Sequence, residues 1–349
     1  MKRNVILGFG AAALTTLALA SCGGAEGTKN VFIYNNADTY IGSVRAEMAK
    51  LDDSLTFHDA AASQETQNTQ IDNAIAAGSK VLLINAVEPG TGETLVKKAK
   101  QANIPAIFFN REVNDATVNA YDKACFVGTD PDEAGYMQGE LVAEEIIKNP
   151  AKWDKDNDKK IRYVMLRAEI DNAEANGRTK YSVQKAKELL SAAGYELVQE
   201  GEDQMCSWAT DKAKNAMDTL LSTNPLDGTN DIEVVFANND DMALGAVQSL
   251  NGKGYNNTDS TDAKKLLVVG VDATATAQDA IKKGTMFGSV KQDGEAMAKC
   301  LVALAKNAYE GKDFLNGTDY TWSKSLETDK EETDKEVRKI RIPYSVFTA

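Results

Sequence analysis

Residues Val234 to Leu250 read VVFANNDDMALGAVQSL, and this stretch indicates the fold of the chain. It begins with four apolar residues, continues with four polar ones, and then carries apolar residues at helical spacing. The pattern predicts a buried parallel strand whose carboxyl end leads through polar side chains into a helix. In open α/β sheets, ligands lie at the carboxyl ends of the strands. We therefore predict Asn239 as a ligand-binding residue and its neighbour Asp240 as the helix N-cap.

The same alternation of short apolar strands and helices of about a dozen residues runs through most of the chain. A first series of predicted strands covers residues 31–34, 55–57, 81–84 and 107–109, and a second series covers 161–166, 195–198, 233–237 and 266–271. Strands connected in this way form right-handed βαβ units and parallel sheets. The predicted fold class is therefore α/β, with two successive Rossmann-like lobes.

Polar and aromatic side chains recur where these strands end. Amide and charged groups offer donors and acceptors to adjacent hydroxyls, and aromatic rings cover apolar C–H faces, so the set suits a sugar. Any single member is also explained as a helix cap or a surface group, and only the recurrence indicates a site. The candidate residues are Asp38, Tyr40, Asn110, Asn172, Glu174, Arg178, Trp208, Asn239, Asp272 and Gln292.

The first residues have the features of an export signal. Lys2 and Arg3 precede an apolar run from Val5 to Ala20, which is too short for a membrane span and typical of a secretory signal peptide. The end of this run, Leu-Ala-Ser-Cys, resembles a bacterial lipobox with Cys22 as the lipid-modified residue. We predict a signal peptide over 1–21, a Gly-rich tether over 22–29, and a lipid anchor on the cell envelope.

Composition excludes several classes of function. The formal net charge of −13 argues against nucleic-acid binding, which needs a basic surface. No glycine fingerprint for dinucleotides, no P-loop and no hydrolase nucleophile motif occurs. The only histidine, His58, lies in a predicted strand, and three cysteines besides Cys22 give no disulfide or zinc pattern. We predict that the protein is not an enzyme.

A loop with metal-like spacing lies between the two series of strands. Asp154, Asp156 and Asp158 match the first three oxygen ligands of an EF-hand calcium loop, and Lys160 falls where that loop uses a backbone carbonyl. The match then weakens, because Arg162 stands where a neutral ligand is expected. A calcium site and a solvated turn both remain open on spacing alone.

The chain resembles the periplasmic galactose/glucose-binding proteins, a family of type I solute-binding proteins of ABC sugar uptake. The resemblance extends from about Asn30 to Phe347. It is carried by IPAIFFNRE (104–112), AYDKACFVGTD (120–130), IEVVFANNDDMALGAV (232–247), VVGVDA (268–273) and VRKIRIPY (337–344).

The resemblance implies two lobes, joined by a three-stranded hinge, that close around one sugar. The first lobe would comprise 30–128 with 293–330, and the second 129–292 with 331–349. It implies a monomer that needs no cofactor, binds D-glucose or D-galactose and delivers it to the membrane subunits of an ABC permease. A chemoreceptor or sensor kinase as an additional partner, and another monosaccharide such as ribose as ligand, are the alternatives.

The resemblance also implies roles for individual residues. Asp38 would accept the hydroxyl at sugar C4, while Tyr40, where the family has Phe, and Trp208 would sandwich the ring. Three further positions depart from the family: Asn172 replaces a His, Glu174 an Asp and Gln292 an Asn. The remaining sugar ligands have the residue types of the family.

For the family's calcium site, the resemblance supplies the last carboxylate from a distant residue, which is Glu233 in this chain. The implied calcium ligands are therefore Asp154, Asp156, Asp158, Lys160 and Glu233.

Two other classes of protein share parts of this pattern. A sugar-responsive repressor would need a basic helix-turn-helix before the first strand, where this chain has its export signal. An exported glycosidase would need two carboxylates at a set separation, and Asp38 and Asp272 would have to supply them. A sugar surrounded by amides is better explained by binding.

Overall fold

The computed structural model describes residues 28–226, 231–327 and 335–349. The predicted signal peptide, Cys22 and most of the predicted tether lie outside these residues. Within the described ranges, no helix has the length and apolar composition to cross a bilayer.

The strands and helices alternate along most of the chain. The strands are β1 (Lys29–Ile33), β2 (Leu55–Asp59), β3 (Val81–Ile84), β4 (Ala106–Phe109), β5 (Ala124–Gly128), β6 (Lys160–Arg167), β7 (Glu196–Gln199), β8 (Gln204–Met205), β9 (Val234–Ala237), β10 (Leu267–Val271), β11 (Gly288–Gln292), β12 (Ser323–Lys324), β13 (Glu336–Val337), β14 (Lys339–Arg341) and β15 (Tyr344–Thr348). The α-helices are α1 (Thr39–Leu51), α2 (Gln64–Ala76), α3 (Gly92–Gln101), α4 (Asp115–Asn119), α5 (Pro131–Lys148), α6 (Pro150–Trp153), α7 (Ala173–Ala192), α8 (Thr210–Thr223), α9 (Asp240–Gly252), α10 (Ala275–Lys282) and α11 (Gly294–Tyr309).

Two sheets form the centres of two lobes. The first sheet has the order β14-β5-β4-β3-β1-β2, and all its pairs are parallel. The second has the order β15-β11-β10-β9-β6-β7, with β8 also on β6, and only its edge pair β11–β15 is antiparallel. The predicted α/β fold with two lobes around parallel sheets is confirmed.

Both faces of each sheet are buried, because successive side chains of a strand point to opposite faces. In β1, Val31 and Ile33 pack in one core together with helices α1 and α11, whereas Phe32 packs in a second core together with α2 and α3. In β9, Val235 and Val234 divide in the same way between two cores of the second lobe. Helices on both faces explain why these strands are almost continuously apolar.

The chain passes between the lobes three times, at residues 129–130, 293 and 342–343. The predicted assignment of 331–349 to the second lobe is therefore wrong in part. Strand β14 pairs with β5 of the first sheet, with Lys339 opposite Phe126. Buried Lys339 also forms ion pairs with Glu112 at 2.7 Å and Asp115 at 2.8 Å. Within the segment 331–349, the described residues pair with the second sheet only from Tyr344 onward.

Candidate functional site

A cleft of about 360 Å³, partly open to solvent, lies between the carboxyl ends of the strands of the two lobes. All ten side chains predicted from the strand ends line it. Tyr34, Ile41 and Arg111 line it as well. Asn110 follows β4, Asp272 follows β10 and Gln292 ends β11, so the parallel strands bring their polar ends to one place.

Three residues of the cleft cap the helices that begin there. The side-chain oxygens of Asp38, Asn172 and Asn239 accept hydrogen bonds from the backbone N–H three residues later, at 2.8–3.0 Å. Each therefore satisfies one of the free N–H groups at the start of α1, α7 or α9. The cap fixes the direction of each side chain and leaves its remaining polar atoms available to a ligand.

The prediction that Asp240 is the N-cap of α9 is wrong, because Asn239 itself is the N-cap. Its extended backbone, with φ −148° and ψ 173°, is the conformation that a cap requires. Asp240 lies inside the first turn and is completely buried. Its carboxylate accepts hydrogen bonds from the Ser289 hydroxyl at 2.6 Å and from the Thr274 N–H at 2.7 Å. Burial raises the pKa of Asp240 to about 7.

The Arg178 guanidinium is the most connected group of the cleft. It donates to the carbonyl oxygen of Asn238 at 2.9 Å, to Gln292 Oε1 at 3.0 Å, to the Tyr344 hydroxyl at 2.9 Å and to Glu174 Oε2 at 3.2 Å. These bonds hold a buried cation in one orientation. Its Nε is buried and has no hydrogen-bond partner among the described residues.

The first turns of α7, which carry Glu174 and Arg178, are held close to α5. A Cβ added to Gly177 would lie 2.6 Å from the Pro131 carbonyl oxygen at the start of α5, so only glycine permits this approach. The Glu174 carboxylate also accepts hydrogen bonds from the hydroxyls of Thr129, at 2.7 Å, and Tyr344. Glu174 therefore ties Arg178 to the residues at the lobe crossings.

Asp272 differs from the other carboxylates of the cleft, because no described residue donates a hydrogen bond to its side chain. Arg178 Nη1 lies 3.9 Å from its Oδ1. Burial raises the pKa of Asp272 well above its usual range, and Asp240, Asp38 and Asp241 raise it further, while Arg178 lowers it. The backbone φ of Asp272 is +112°, a strained value for a residue with a side chain.

The aromatic residues of the cleft come from both lobes. Tyr40 is buried on α1, and Trp208, at a backbone φ of +63°, follows β8 in the second lobe. The Tyr34 hydroxyl donates to Asp38 Oδ2 at 2.6 Å, and burial raises the pKa of Tyr34 above its usual range. Indole Nε1 of Trp208 and amide Nε2 of Gln292 are buried donors without a partner among the described residues. The cleft thus combines free donors, a free carboxylate and ring faces, which suits a neutral polyhydroxyl ligand.

Comparison with known proteins identifies the fold family. A family model described as a periplasmic binding protein domain matches residues 31–313. The chain belongs to the periplasmic binding protein family. The prediction that the protein is not an enzyme is thereby confirmed, and the chain is an exported solute-binding protein.

The chain is also similar to individual proteins along nearly its full length. It is 34% identical to the D-galactose/methyl-galactoside binding periplasmic protein MglB of Haemophilus influenzae over 349 residues, covering 99% of this chain and 96% of that protein. The predicted resemblance to the galactose/glucose-binding proteins is confirmed.

Solved structures show the same fold with different ligands. The ABC transporter solute binding protein of Clostridium phytofermentans with bound β-D-glucose matches with a TM-score of 0.71 at 19% identity, covering 92% of this chain and 94% of that one. The corresponding protein of Bacillus halodurans C-125 with bound myo-inositol gives 0.68 at 24%, covering 93% and 96%. The shared fold alone therefore does not select the ligand of this periplasmic binding protein.

Sequence reasoning missed two polar residues of the cleft. Tyr34 was assigned to the first strand, but it is the first residue beyond that strand. Arg111 directly follows Asn110, and its guanidinium lies 4.6 Å from the centre of the Tyr34 ring. Arg111 Nη2 donates to Glu169 of the second lobe at 2.8 Å and so links the lobes across the cleft. In the sequence, the position of Arg111 directly after the strand-end residue Asn110 was the only indication that Arg111 lines the cleft.

The acidic loop before β6 brings together three of the predicted metal ligands. Carboxylate oxygens of Asp154, Asp156 and Asp158 lie within 4.8 Å of one another. However, Arg162 Nη2 donates to Asp158 at 2.5 Å, and Arg162 Nη1 lies 3.7 Å from Asp156.

Glu233, the distant carboxylate of the implied set, is also engaged. The Arg162 N–H donates to Glu233 Oε2 at 2.9 Å, and burial raises the pKa of Glu233 to about 8. The Lys160 N–H donates to Asp158 Oδ1 at 2.8 Å. A calcium ion takes six to eight oxygen ligands, and a guanidinium already lies among these carboxylates. The residues present therefore do not fit the calcium site that the resemblance implies.

Proposed function

We propose that this periplasmic binding protein captures a hexose, D-glucose or D-galactose, in the cleft between its lobes and delivers it to an ABC permease. The observation that carries the proposal is the pairing of two carboxylates from different lobes, Asp38 and Asp272, around a narrow cleft with buried free donors. Such a site can bind several hydroxyl groups of one small neutral molecule at once. The similarity to the galactose/methyl-galactoside binding protein supports a hexose.

The cleft residues divide into three kinds of contact with the hexose. Asp38 and Asp272 accept hydrogen bonds from hydroxyl groups, Asp272 more strongly because it has no other donor. Trp208 and Tyr40 cover the two faces of the ring. The Nε of Arg178 donates to ring or hydroxyl oxygens.

Amides of Asn110, Asn172, Asn239 and Gln292 complete the set. Asn172 uses its oxygen as a helix cap, so its NH₂ group is the part that reaches the sugar. A fixed donor at this position, where the related family has a histidine, is expected to change the ranking among hexoses.

Ligand transfer follows from the position of the cleft. Contacts from both lobes favour the closed form when the sugar is bound. The permease can then distinguish loaded from empty protein, and opening at the three lobe crossings releases the sugar. A chemoreceptor that recognises the same closed form is an additional partner under this proposal.

Calorimetric titration of the purified mature protein with glucose, galactose, ribose and myo-inositol tests the ligand. We expect saturable one-to-one binding of glucose or galactose and unchanged sugar after long incubation. Binding of ribose or myo-inositol without either hexose would contradict the proposed ligand. Consumption of the sugar would contradict pure binding.

We also propose that Cys22 carries a lipid that holds the protein at the envelope surface. The support is the Leu19-Ala20-Ser21-Cys22 sequence and the glycines that follow it. A Cys22→Ser variant should leave the membrane fraction and keep the hexose affinity of the wild type. A Cys22→Ser variant that still fractionates with membranes would disprove the anchor.

A further inference from the structure

The loop that carries Asp272 has a strained backbone conformation, and buried residues on the side away from the cleft hold it in place. Asp272 and the next residue, Ala273, both have positive φ, at 112° and 50°. Such values are uncommon for residues with a side chain and persist only where the surroundings impose them. The Ala273 N–H donates to Ser289 Oγ at 2.9 Å, and the Ser289 hydroxyl donates to Asp240. Asp240 accepts the Thr274 N–H with its other oxygen.

We propose that Asp240 is a positioning residue that sets the place of the Asp272 carboxylate in the sugar cleft. Asp240 itself does not line the cleft. One buried carboxylate bonds the loop directly at Thr274 and indirectly at Ala273, on the carboxyl side of Asp272. The strand β10 leaves room for it, because a Cβ on Gly270 would lie 2.4 Å from Asp240 Oδ1.

This inference rests on the proposed hexose function, and a merely structural role is its main competitor. The chain provides a matched control at the opposite end of β10. There, buried Asn256 donates to the Leu266 carbonyl at 2.9 Å and accepts the Leu266 N–H at 2.7 Å. Both side chains therefore satisfy backbone groups at an end of β10, but only Asp240 does so beside the cleft.

The test compares hexose affinity with thermal stability in four variants of the mature protein. Asp240→Ala and Ser289→Ala should each raise the dissociation constant about tenfold, because the Asp272 carboxylate loses its fixed position. Asp240→Asn should stay within about threefold of wild type, since its oxygen can accept the Thr274 N–H and its amide can donate to Ser289. Asn256→Ala should lower the unfolding temperature and leave affinity unchanged.

Two results would overturn the proposal. One is wild-type affinity in Asp240→Ala or, if that variant does not fold, in Ser289→Ala. The other is an Asn256→Ala variant that loses affinity in step with the Asp240 variant, since that would make the effect one of general stability. If the wild-type protein binds no hexose while remaining folded, the proposed function fails first and this inference fails with it.

A second inference comes from the acidic loop, independently of the cleft. We infer that the Arg162 guanidinium is the resident cation of this loop and replaces a bound metal ion. Its side chain is only 5% exposed, and it reaches Asp158, Asp156 and, at 3.8 Å, Glu200. Removing one partner from a buried ion pair leaves an uncompensated charge. The stability of the loop should therefore depend on Arg162 and not on calcium.

Thermal unfolding in calcium chloride and in EGTA tests this inference. The wild-type unfolding temperature should be the same in both. Arg162→Gln, which exchanges the cation for a neutral oxygen ligand, should unfold at a lower temperature in EGTA and regain stability with calcium. A wild-type protein that is stabilised by calcium would overturn the inference, and so would an Arg162→Gln variant that does not respond to calcium.

Discussion

Replacement of Asp272 by Asn should weaken hexose binding while leaving the ligand-free protein at least as stable. The structure shows no described donor to this carboxylate, so under the proposed function the sugar hydroxyls are its hydrogen-bond partners. A hydrogen bond to a charged group contributes about 1.5–3 kcal/mol, which corresponds to a dissociation constant about ten- to a hundredfold higher when it is lost. Asn tolerates positive φ nearly as well as Asp, so the exchange removes the charge without adding backbone strain.

The effect of Asp272 on the free energy of unfolding depends on pH. Because the pKa of Asp272 is raised by folding, its contribution to stability is present at low pH and is lost as the pH rises through the raised pKa. Asp272→Asn should therefore be more stabilising at high pH, and its advantage should shrink in acid. Calorimetric titration with hexose and thermal unfolding without it measure the two effects.

A matched control is Asp293→Asn, one residue beyond Gln292 of the cleft. Asp293 caps α11 by accepting the Ala296 N–H at 3.1 Å, and Asn caps equally well. The hexose affinity of the Asp293→Asn variant should therefore equal that of the wild type. The loss of one such bond should raise the dissociation constant by much more than about twofold. If the dissociation constant of Asp272→Asn stays within about twofold of the wild-type value, the role assigned to this carboxylate is refuted.

Three further predictions concern the lobes and the aromatic wall. Glu169→Gln breaks the ion pair with Arg111 across the lobes and should weaken hexose binding only a few-fold, because such partly exposed pairs contribute about 1 kcal/mol or less. The loss should be smaller at high salt concentration. As a control, Asp72→Asn, which breaks an exposed ion pair within the first lobe, should leave hexose affinity unchanged. Trp208→Phe should abolish the hexose-induced change in tryptophan fluorescence, and persistence of that change would exclude Trp208 as the stacking residue. The unfolding temperature of the ligand-free protein should fall between about pH 4 and pH 7, because folding raises the pKa of Asp240 from 3.8 to about 7, and Asp240→Asn should flatten this dependence.

The cleft could be predicted from the sequence because it depends on short-range patterns. An apolar run that ends in Asn or Asp marks the carboxyl end of a strand, and parallel strands place those ends together whatever the details of packing. Asn110 and Asp272 could be named for that reason alone. Their burial and the free donor atoms around them depend on the second lobe, and no local pattern reports on that.

The errors have physical reasons as well. In Asn239-Asp240 both residues are good caps, and the choice depends on which one has the extended backbone. The residue inside the helix is then free to bond Ser289, which lies 49 positions along the chain and cannot be anticipated from periodicity. Strand β14 was placed in the wrong lobe because its pairing with β5 joins segments more than two hundred residues apart.

Two of the carboxylates of the cleft, Asp38 and Asp272, show how binding and closure are connected. Each carboxylate oxygen of Asp38 already has one donor inside the first lobe, the Ile41 N–H and the Tyr34 hydroxyl, and each can accept a further hydrogen bond from a sugar. Asp272 is buried, and no described residue donates a hydrogen bond to its carboxylate, although Arg178 Nη1 lies 3.9 Å away. Its ionised form is therefore costly until hydroxyl groups reach it. An empty closed form is therefore disfavoured by the second lobe rather than the first. Under the proposed function, the hydroxyl groups of the hexose supply these donors, so closure is favoured when the ligand is present.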